Sequence, residues 1–377
     1  MQAVGMVAEF NPLHKGHVHA LTEARRQSGA EVVVVALAGN YTQRGEPAIV
    51  DKWARTQAAL ANGADLVIEL PTTDAVQAAS QFATGGVTLL AALGVTTLAF
   101  GTEAPTVDYA RVARTLAQAR PETDHFQDFT QTYATQLNTY YRQVAGVDLS
   151  TPNLMLGMSY AQANFTLGEP MRLLPLARVG AGHDDQRVDA GFASGSRIRQ
   201  AIANNDSVAE LVPAATKTAL TTPHYTWQAW YPLLRYRLLT ADLAELRQID
   251  TMTEGLEYRL TQQIATSTDF ASFMQAIKSK RYTYARLRRL CLSVLLNLTQ
   301  AGVQSAHHQR YLQVLGFTPA GRAYLHSVKK QLTLPLITRV SAAMLAPGGL
   351  LYWQQRADSL IESRTCRPQN YGRIPLM

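Results

Sequence analysis

The chain has 377 residues, of which 47% are hydrophobic and 17% charged, which is enough apolar material for two or three globular domains. Its net charge is +7, and no window of the sequence has the unbroken apolar length of a membrane span or the pattern of a secretory leader. We therefore expect a cytoplasmic protein with no membrane partner, and its two distant cysteines argue against a disulfide framework or a zinc site.

Apolar runs bounded by turn residues predict four strands near the start of the chain, with helical patterns between them. The runs cover residues 3–10, 31–39, 64–71 and 95–102. Near-continuous Val, Ile and Leu strands that alternate with helices are typical of a parallel sheet covered on both faces. A fifth run, residues 171–179, follows a long helical insertion. The pattern predicts one α/β domain with a parallel sheet over residues 1–222.

The sequence changes character after Pro223. Long amphipathic segments, at residues 241–265 and 284–300, predict a mainly α-helical second domain over residues 223–377. This part carries 19 Lys+Arg and 8 Asp+Glu, a net charge of +11, whereas residues 1–222 carry 16 and 20, a net charge of −4. The asymmetry indicates that the second part meets a polyanion, although a solvated basic surface with no partner also fits the composition.

Two histidines flank a glycine just after the first predicted strand. In "VAEFNPLHKGHVHAL", residues 7–21, His14 and His17 enclose Lys15 and Gly16. Doubly wound sheets bind ligands at this end of a strand, and the helix that starts here favours an anion. Gly16 permits close approach of a phosphate, and imidazole can stabilise the charge that develops during nucleotidyl transfer. The pattern predicts a site for a nucleotide α-phosphate, with a polar helix cap as the alternative.

A second motif, "ASGSRIRQAI" at residues 193–202, contains a hydroxyl-rich helix start followed by an arginine. Ser194 is expected to be the helix N-cap, and Arg199 to hold a phosphate. With its serine at 196, the segment resembles the S-x-T-x-I-R element of the nucleotidyltransferase superfamily, just as "HKGH" resembles the HxGH motif of that superfamily and of class I aminoacyl-tRNA synthetases. The resemblance implies a Rossmann-like HUP domain that binds ATP and reacts at its α-phosphate.

Longer segments resemble one family across nearly the whole chain. They are "GMVAEFNPLHKGH", "AGNYTQRGEPAIVDKWARTQAALANGADLVIELP", "ASQFATGGVTLLAALGVTTLAFGTE" and "KSKRYTYARLRRL". Together they resemble the tRNA(Met) cytidine acetate ligases. That resemblance implies activation of acetate by ATP to acetyl-adenylate, with transfer of the acetyl group to N4 of the wobble cytidine of elongator tRNA(Met). Mg²⁺ is expected to accompany ATP, although no carboxylate pair in the sequence marks a metal site.

The same resemblance implies a set of ATP-binding residues. It consists of the loop Val7, Ala8, Glu9, Phe10, Asn11, Pro12, Leu13, His14, Lys15, Gly16, His17, Val18, His19 and Ala20, together with Gly101, Asn153, Arg178, Ser194 and Ser196. After Arg178 the chain reads "GAGHDDQ" where the family usually has an aromatic or histidine pair, so the roles of His183, Asp184 and Asp185 stay open.

The chemistry of acetate activation suits these residues. Attack of acetate on ATP places extra negative charge on the α-phosphate and on the departing pyrophosphate, and cations and N–H donors stabilise that charge. We assign this catalytic role to His14, Lys15, His17 and Arg199. A neighbouring segment, "RGEPAIVDKWAR", adds Arg44, Lys52 and Arg55, for which phosphate contact and a solvated helix face are equally good interpretations.

Residues 277–289, "IKSKRYTYARLRR", interleave cations with aromatic rings. Cations neutralise phosphates and aromatic rings stack on unpaired bases, so the segment predicts contact with tRNA through a defined set of side chains. The set is Lys278, Lys280, Arg281, Tyr282, Tyr284, Arg286 and Arg289.

Two other function classes remain open from the sequence. A small-molecule nucleotidyltransferase accounts for the histidine motif but not for the basic C-terminal part. A non-catalytic RNA-binding protein accounts for the basic part but not for the two nucleotide motifs.

Overall fold

A parallel sheet with helices on both faces forms the N-terminal part of the protein, as the alternation of apolar runs predicts. The computed structural model describes residues 1–119, 131–148, 151–178 and 192–377, so His183, Asp184 and Asp185 lie outside the described residues. The strands of this part are β1 (Ala3–Ala8), β2 (Val32–Ala38), β3 (Leu66–Leu70), β4 (Thr97–Thr102) and β5 (Arg172–Ala177). The helices among them are α1 (Lys15–Ser28), α2 (Lys52–Leu60), α3 (Thr72–Ala75), α4 (Ala79–Ala92), α5 (Tyr109–Gln118), α6 (Tyr133–Ala145) and α7 (Pro152–Thr166).

The remaining elements are mainly helical, as predicted. They begin with α8 (Gly195–Ala203), α9 (Ala214–Ala219), α10 (Trp227–Thr240), α11 (Leu243–Arg247), α12 (Leu256–Thr266), α13 (Phe270–Ile277), α14 (Tyr284–Leu296) and α15 (Gln300–His308). They continue with β6 (Leu312–Phe317), α16 (Pro319–Val328), a short 3₁₀ turn, β7 (Leu336–Ile337), α17 (Ala342–Leu345) and α18 (Tyr352–Thr365). Within the described ranges no helix is long and apolar enough to cross a membrane.

The sheet has the strand order β5-β4-β1-β2-β3-β6-β7. The five predicted strands are mutually parallel, whereas β6 pairs antiparallel with β3 and β7 runs parallel to β6. The last two strands were not predicted, and they come from the part of the chain that follows the helices. The division at residue 223 stays a prediction, but the chain after residue 311 returns to the N-terminal sheet.

The central strand β2 shows why the sheet is buried on both faces. Every residue of "VVVVALA" is buried, and successive residues pack into different cores. Val32, Val34 and Ala36 lie in the core under α4, α5 and α7, whereas Val33 and Val35 lie in the core under α1 and α2. Successive side chains of a strand point to opposite faces, so a strand covered on both faces needs apolar residues at every position. This is the near-continuous apolar pattern of the sequence.

A third core holds the helices of the C-terminal part together. It combines side chains of α10, α12, α13 and α14, with Trp230, Phe273 and Leu290 almost fully buried. The predicted long segment 241–265 is divided into α11 and α12 by a turn in which Thr251, Glu254 and Gly255 all have left-handed backbone conformations. Cys291 is buried in this core and Cys366 is exposed, both as free thiols.

A buried charge network joins the last long helix to the sheet. The ammonium of Lys52 lies 2.7 Å from a carboxylate oxygen of Glu69 on β3 and 2.7 Å from one of Asp358 on α18, and it donates to Asn370. The three charged side chains are fully buried. Burial alone would lower the pKa of Lys52, but the two carboxylates outweigh it and the pKa is raised. Burial raises the pKa of Glu69 to about 7, against the lowering by Lys52.

We predict that Lys52→Met destabilises the protein by about 3–5 kcal/mol at pH 7.5, because it leaves two buried carboxylates without their cation. Without Lys52 the buried carboxyl group of Glu69 loses the cation that lowers its pKa, so it binds a proton more readily in the folded variant than in the unfolded chain. The deficit of the variant relative to the wild type should therefore shrink as the pH falls to 5.5. Urea unfolding at the two pH values measures both effects.

The control is Lys217→Met on the exposed face of α9, which removes the same charge and should change the free energy of unfolding by less than about 0.5 kcal/mol. Equal losses in the two variants, or a Lys52→Met deficit that is the same at both pH values, would contradict the assigned role of the network.

Candidate active site

A cavity of about 520 Å³ opens at the carboxyl edge of the parallel sheet. Residues just past β1, β4 and β5 line it, which places it where the strand order reverses between β1 and β4. Its volume is in the range of small-molecule sites. The first turns of α1 and α8 also line the cavity, so two helix N-termini with positive partial charge face the same space. This arrangement suits a ligand that carries phosphate.

The two histidines of the HxGH motif cap helix α1. His14 is the N-cap residue, and its Nδ1 accepts a hydrogen bond from the backbone N–H of Gly16 at 3.1 Å. His17 is the third helical residue, and its Nδ1 accepts from the backbone N–H of His14 at 3.3 Å. The spacing of three residues between the histidines is therefore the spacing of a capping box. The rings stack with centroids 3.7 Å apart and planes inclined by 22°.

These backbone contacts decide which imidazole nitrogen carries the proton. An Nδ1 atom that accepts a hydrogen bond cannot hold a proton of its own, so the proton of each neutral ring is on Nε2. Each of these rings lines the cavity. His14 and His17 can therefore act as hydrogen-bond donors through Nε2 while their Nδ1 atoms keep the helix start in place.

Arg199 joins the two predicted motifs in space. Its guanidinium donates to the backbone carbonyl of Asn11 at 2.7 Å, and it lies 3.4 Å from Oγ of Ser196. Ser194 is the N-cap of α8, as predicted, and accepts from the backbone N–H of Arg197. Burial lowers the pKa of Arg199, and the carboxylate of Glu46 opposes that shift. The structure thus brings Arg199 to the same cavity as His14 and His17.

Glu9 contributes a carboxyl group to the cavity wall. The backbone N–H of Gln43 donates to it at 2.5 Å. Burial raises the pKa of Glu9, against the lowering by that hydrogen bond and by Arg44 and Arg199.

Glu103, just past β4, holds two of the predicted ATP-binding residues. Its carboxylate accepts from the side-chain amide of Asn153 and lies 3.7 Å from the guanidinium of Arg178. It also accepts from the hydroxyl of Thr151 at 3.0 Å. Asn153 and Arg178 come from the start of α7 and the end of β5, and Glu103 therefore sets their positions at the cavity.

Much of the cavity lining is apolar. The ring of Phe100 packs against Tyr160 at 5.8 Å, and the ring of Phe10 lies 4.9 Å from His17. A cavity that combines apolar side chains with cations and helix N-termini suits a ligand that has both an aromatic base and phosphates. The apolar lining residues include Met6, Val7, Phe82, Phe100, Met155, Leu156, Tyr160, Leu176 and Phe192.

Most of the predicted ATP-binding residues line this cavity. They are Val7, Ala8, Glu9, Phe10, Asn11, His14, Gly16, His17, His19, Ala20, Gly101, Asn153, Arg178, Ser194, Ser196 and Arg199. Pro12, Leu13, Lys15 and Val18 do not line it. Leu13 packs in the core below α1, and Lys15 is exposed on the first turn of the helix. The structure therefore gives Lys15 no place in the cavity beside the two histidines.

The interpretation of Lys52 and Arg55 as phosphate-contacting residues is wrong. Lys52 is fully buried and forms ion pairs with Glu69 and Asp358. Arg55 is 1% exposed and donates to backbone carbonyls, among them that of Ala38 at 2.8 Å. Only Arg44 of the three predicted cations lines the cavity.

The predicted tRNA-binding residues fall into two groups. Lys280 and Tyr284 are exposed, and Lys278, Arg281 and Arg286 are partly exposed around them. Tyr282 is buried and donates its hydroxyl to Glu254, and Arg289 donates to the backbone carbonyl of Gln43 at 3.0 Å. Tyr282 is therefore used to pack the helical part, and Arg289, although partly exposed, joins α14 to the loop that carries Gln43.

The sequence did not single out two side chains that contact the cavity residues: Glu46 lies between Arg199 and Arg288, and Glu103 holds Asn153. Arg288 belongs to the basic segment 277–289 that the sequence associates with RNA, but it lines the cavity from α14. The signal of the two glutamates was weak, but Glu46 lies in the Gly- and Pro-containing loop after a parallel strand, where ligand-binding residues concentrate.

The described residues contain no group of three or more His, Cys, Asp or Glu side chains that could hold a metal ion. Glu9 and Glu46 are the carboxylates in or beside the phosphate end of the cavity, and both are already paired with N–H groups of the protein.

Comparisons with known proteins agree with this geometry. The family model described as HIGH Nucleotidyl Transferase matches residues 1–371. A tRNA(Met) cytidine acetate ligase of Latilactobacillus sakei subsp. sakei is 46% identical over 381 residues, covering 100% of this chain and 97% of the relative. Another, of Limosilactobacillus reuteri, is 44% identical over 379 residues and 100% of each chain.

Solved structures resemble the whole chain as well. Thermotoga maritima TmcAL in its apo form I has a TM-score of 0.88 and 27% identity, covering 100% of this chain and 99% of that one. The same protein bound with alpha-thio ATP has a TM-score of 0.86 and 26% identity over the same shares. The chain therefore belongs to the HIGH nucleotidyl transferases and, among them, to the tRNA(Met) cytidine acetate ligase family.

Proposed function

We propose that the protein uses ATP to activate acetate as acetyl-adenylate and transfers the acetyl group to N4 of the wobble cytidine of elongator tRNA(Met). The observation that carries the proposal is the convergence of His14, His17 and Arg199 on one cavity that is also bordered by the basic helix α14. The names of the relatives and the alpha-thio ATP complex of the T. maritima protein support it. We assign residues 1–222 to activation and the exposed face of residues 223–377 to tRNA, in the cytoplasm where both substrates occur.

In the first step, a carboxylate oxygen of acetate bonds to the α-phosphorus, and the bond from that phosphorus to the bridging oxygen of pyrophosphate breaks. Negative charge grows on the α-phosphate oxygens and on the leaving group. The Nε2–H groups of His14 and His17 and the guanidinium of Arg199 are fixed donors for that charge, and fixed donors need no reorganisation during the reaction.

In the second step, the exocyclic amine of cytosine bonds to the acetyl carbon, AMP leaves, and the amine loses a proton. The base must be unstacked to reach the mixed anhydride, and an anticodon-loop base is already accessible. We propose that Lys278, Lys280, Arg281, Tyr284 and Arg286 bind the surrounding RNA, since these side chains lie on or near the surface beside α14.

Mg²⁺ fits this site as a companion of the nucleotide and not as a resident ion. The described residues offer it no cluster of ligands, so we propose that phosphate oxygens of ATP hold it. When bound it would neutralise part of the phosphate charge.

The direct test is incubation with ATP, acetate and bulk tRNA, followed by mass spectrometry of the nucleosides. We expect N4-acetylcytidine that depends on ATP and acetate and appears only in elongator tRNA(Met). Release of pyrophosphate without acetylated RNA would support a small-molecule nucleotidyltransferase. tRNA binding without any pyrophosphate release would support a non-catalytic RNA-binding protein.

We predict that His14→Asn and His17→Asn each lower acetate-dependent exchange of pyrophosphate into ATP by about 100-fold or more. Asparagine keeps an acceptor near the position of Nδ1, so the capping contacts of α1 can persist, but it lacks the Nε2 donor. Each melting temperature should therefore stay close to that of the wild type. Near-normal exchange in either variant would show that its histidine is only a helix cap.

We predict that the double variant Lys278→Gln, Lys280→Gln weakens tRNA binding and lowers its salt dependence, by a slope of about 0.7 for each lost contact to single-stranded RNA. The exchange of pyrophosphate into ATP should be unchanged. The matched control is Lys329→Gln, Lys330→Gln, which removes the same charge from another exposed pair in the C-terminal part. If both double variants lose equal affinity, the residues around 278–286 are not a specific RNA site.

A further inference from the structure

One arginine of helix α14, Arg288, lines the nucleotide cavity. Ala285 and Arg288 line the cavity, three positions apart, and Arg289 points to the same side of the helix. Arg286 lies on a different side, with its guanidinium 4.6 Å from the ring centre of Tyr282. The basic segment that the sequence associates with RNA is therefore divided between an outer surface and a face that meets the cavity.

Glu46 lies between this arginine and the arginine of the second motif. One of its carboxylate oxygens accepts from Nη1 of Arg288, and the other lies 3.4 Å from Nη2 of Arg199. The three side chains are 23–29% exposed, so the contacts are neither fully buried nor open to solvent. A phosphate group can occupy the position of a carboxylate that lies between two guanidinium groups. The carboxylate is planar and the phosphate is tetrahedral, but both are oxyanions that accept hydrogen bonds from the paired N–H groups of arginine.

The loop that carries Glu46 is held firmly against α14. Gly45 has a left-handed backbone with a φ of 72°, and a Cβ atom there would lie 2.3 Å from the backbone nitrogen of Arg289. The indole N–H of Trp227 donates to the carbonyl of Gly45 at 2.9 Å, and Arg289 donates to the carbonyl of Gln43. These backbone contacts hold the loop on α14 and so fix the position of Arg288 relative to the cavity, whereas Glu46 contacts the two arginines through its side chain only.

The charge balance of the cavity favours a movement of the Glu46 side chain. Its lining includes the guanidinium groups of Arg44, Arg178, Arg199 and Arg288 and the carboxyl group of Glu9, and Glu46 lies beside it. ATP brings several negative charges that attract these cations, and Glu46 holds two of the four. Release of Glu46 would make both guanidinium groups available to the phosphates.

We propose that Arg288 is a nucleotide-binding residue for the β- and γ-phosphates of ATP, and that Glu46 takes the place of phosphate on Arg199 and Arg288 when the cavity is empty. The inference rests on the proposed function only in taking ATP as the ligand. If Arg288 binds the phosphates, the nucleotide site is complete only when the helical part is docked on the loop at residues 42–46. Arg288 thereby belongs to the catalytic cavity and not to the RNA-binding surface.

Calorimetric titration of the full chain with ATP and with AMP, each with Mg²⁺, tests the proposal. Arg288→Gln should weaken ATP binding by about 10- to 100-fold, the usual effect of losing a charged hydrogen-bond partner, and AMP binding by less than about 3-fold. Arg288→Lys should lie between the two, because it keeps the charge but loses the fork. Glu46→Gln should bind ATP as tightly as the wild type or tighter, since a competing anion is removed.

The matched control is Arg237→Gln. Arg237 has a similar exposure of 27%, pairs with Glu245 at 2.9 Å and lies in the same helical part, but it does not line the cavity. It should leave both affinities unchanged, and melting temperatures will show whether each variant is folded.

Unchanged ATP affinity in folded Arg288→Gln would overturn the proposal. Equal weakening of ATP and AMP binding, or a loss in Glu46→Gln as large as that in Arg288→Gln, would also overturn it and show that the pair only holds the loop in place. These outcomes are separate from failure of the proposed function, which would appear as a wild type that binds ATP but forms no acetylated tRNA.

Discussion

The buried contact of Lys52 with Glu69 and Asp358 is the constraint on which the arrangement of the two parts depends. It joins α2, β3 and α18, so the last long helix is fixed on the sheet although some three hundred positions separate Lys52 and Asp358. Apolar packing alone can slide, whereas three buried charges are satisfied in one arrangement only. Because Trp227 binds the loop carbonyl of Gly45 at the other end, the helices between these anchors, α14 included, are held at the rim of the cavity.

The need to satisfy backbone N–H groups at the start of α1 explains the HxGH spacing. One histidine must be the N-cap and the other the third helical residue for both Nδ1 atoms to satisfy backbone N–H groups at the helix start. The residue between them on this face must be small, because a Cβ atom on Gly16 would lie 3.0 Å from the ring of His14. The placement of the two rings at the cavity is thus a consequence of how the helix begins, because one nitrogen of each ring accepts from the backbone at the helix start.

The parallel strands were predicted from apolar runs, and the site at His14 and His17 was predicted because strand ends share one edge of a parallel sheet. That Arg199 joins the two histidines was implied by the resemblance of its segment to the second nucleotidyltransferase motif. The sequence did not show that Lys52 is buried while Lys280 is exposed. The residue type is the same at both positions, and Asp358, the partner of Lys52, is remote in the chain. Periodicity showed that α14 has separate faces but not which face meets the cavity. The antiparallel pairing of β6 with β3 was missed for the same reason, because it depends on tertiary contact.

The net charge of +11 in the C-terminal part is larger than the positive charge that is available to RNA at its surface. Arg288 is paired with Glu46 of the acidic N-terminal part, Arg281 is paired with Glu254, and Arg289 donates to a backbone carbonyl. Part of the positive charge is therefore paired with groups of the N-terminal part or within the helical part, and less of it is available to a polyanion. Helix α14 borders the cavity through Ala285 and Arg288 and carries the exposed Tyr284 at its first turn, so it lies both at the cavity and at the surface. The position of the helix, more than its total charge, is what suits it to bring RNA and adenylate together.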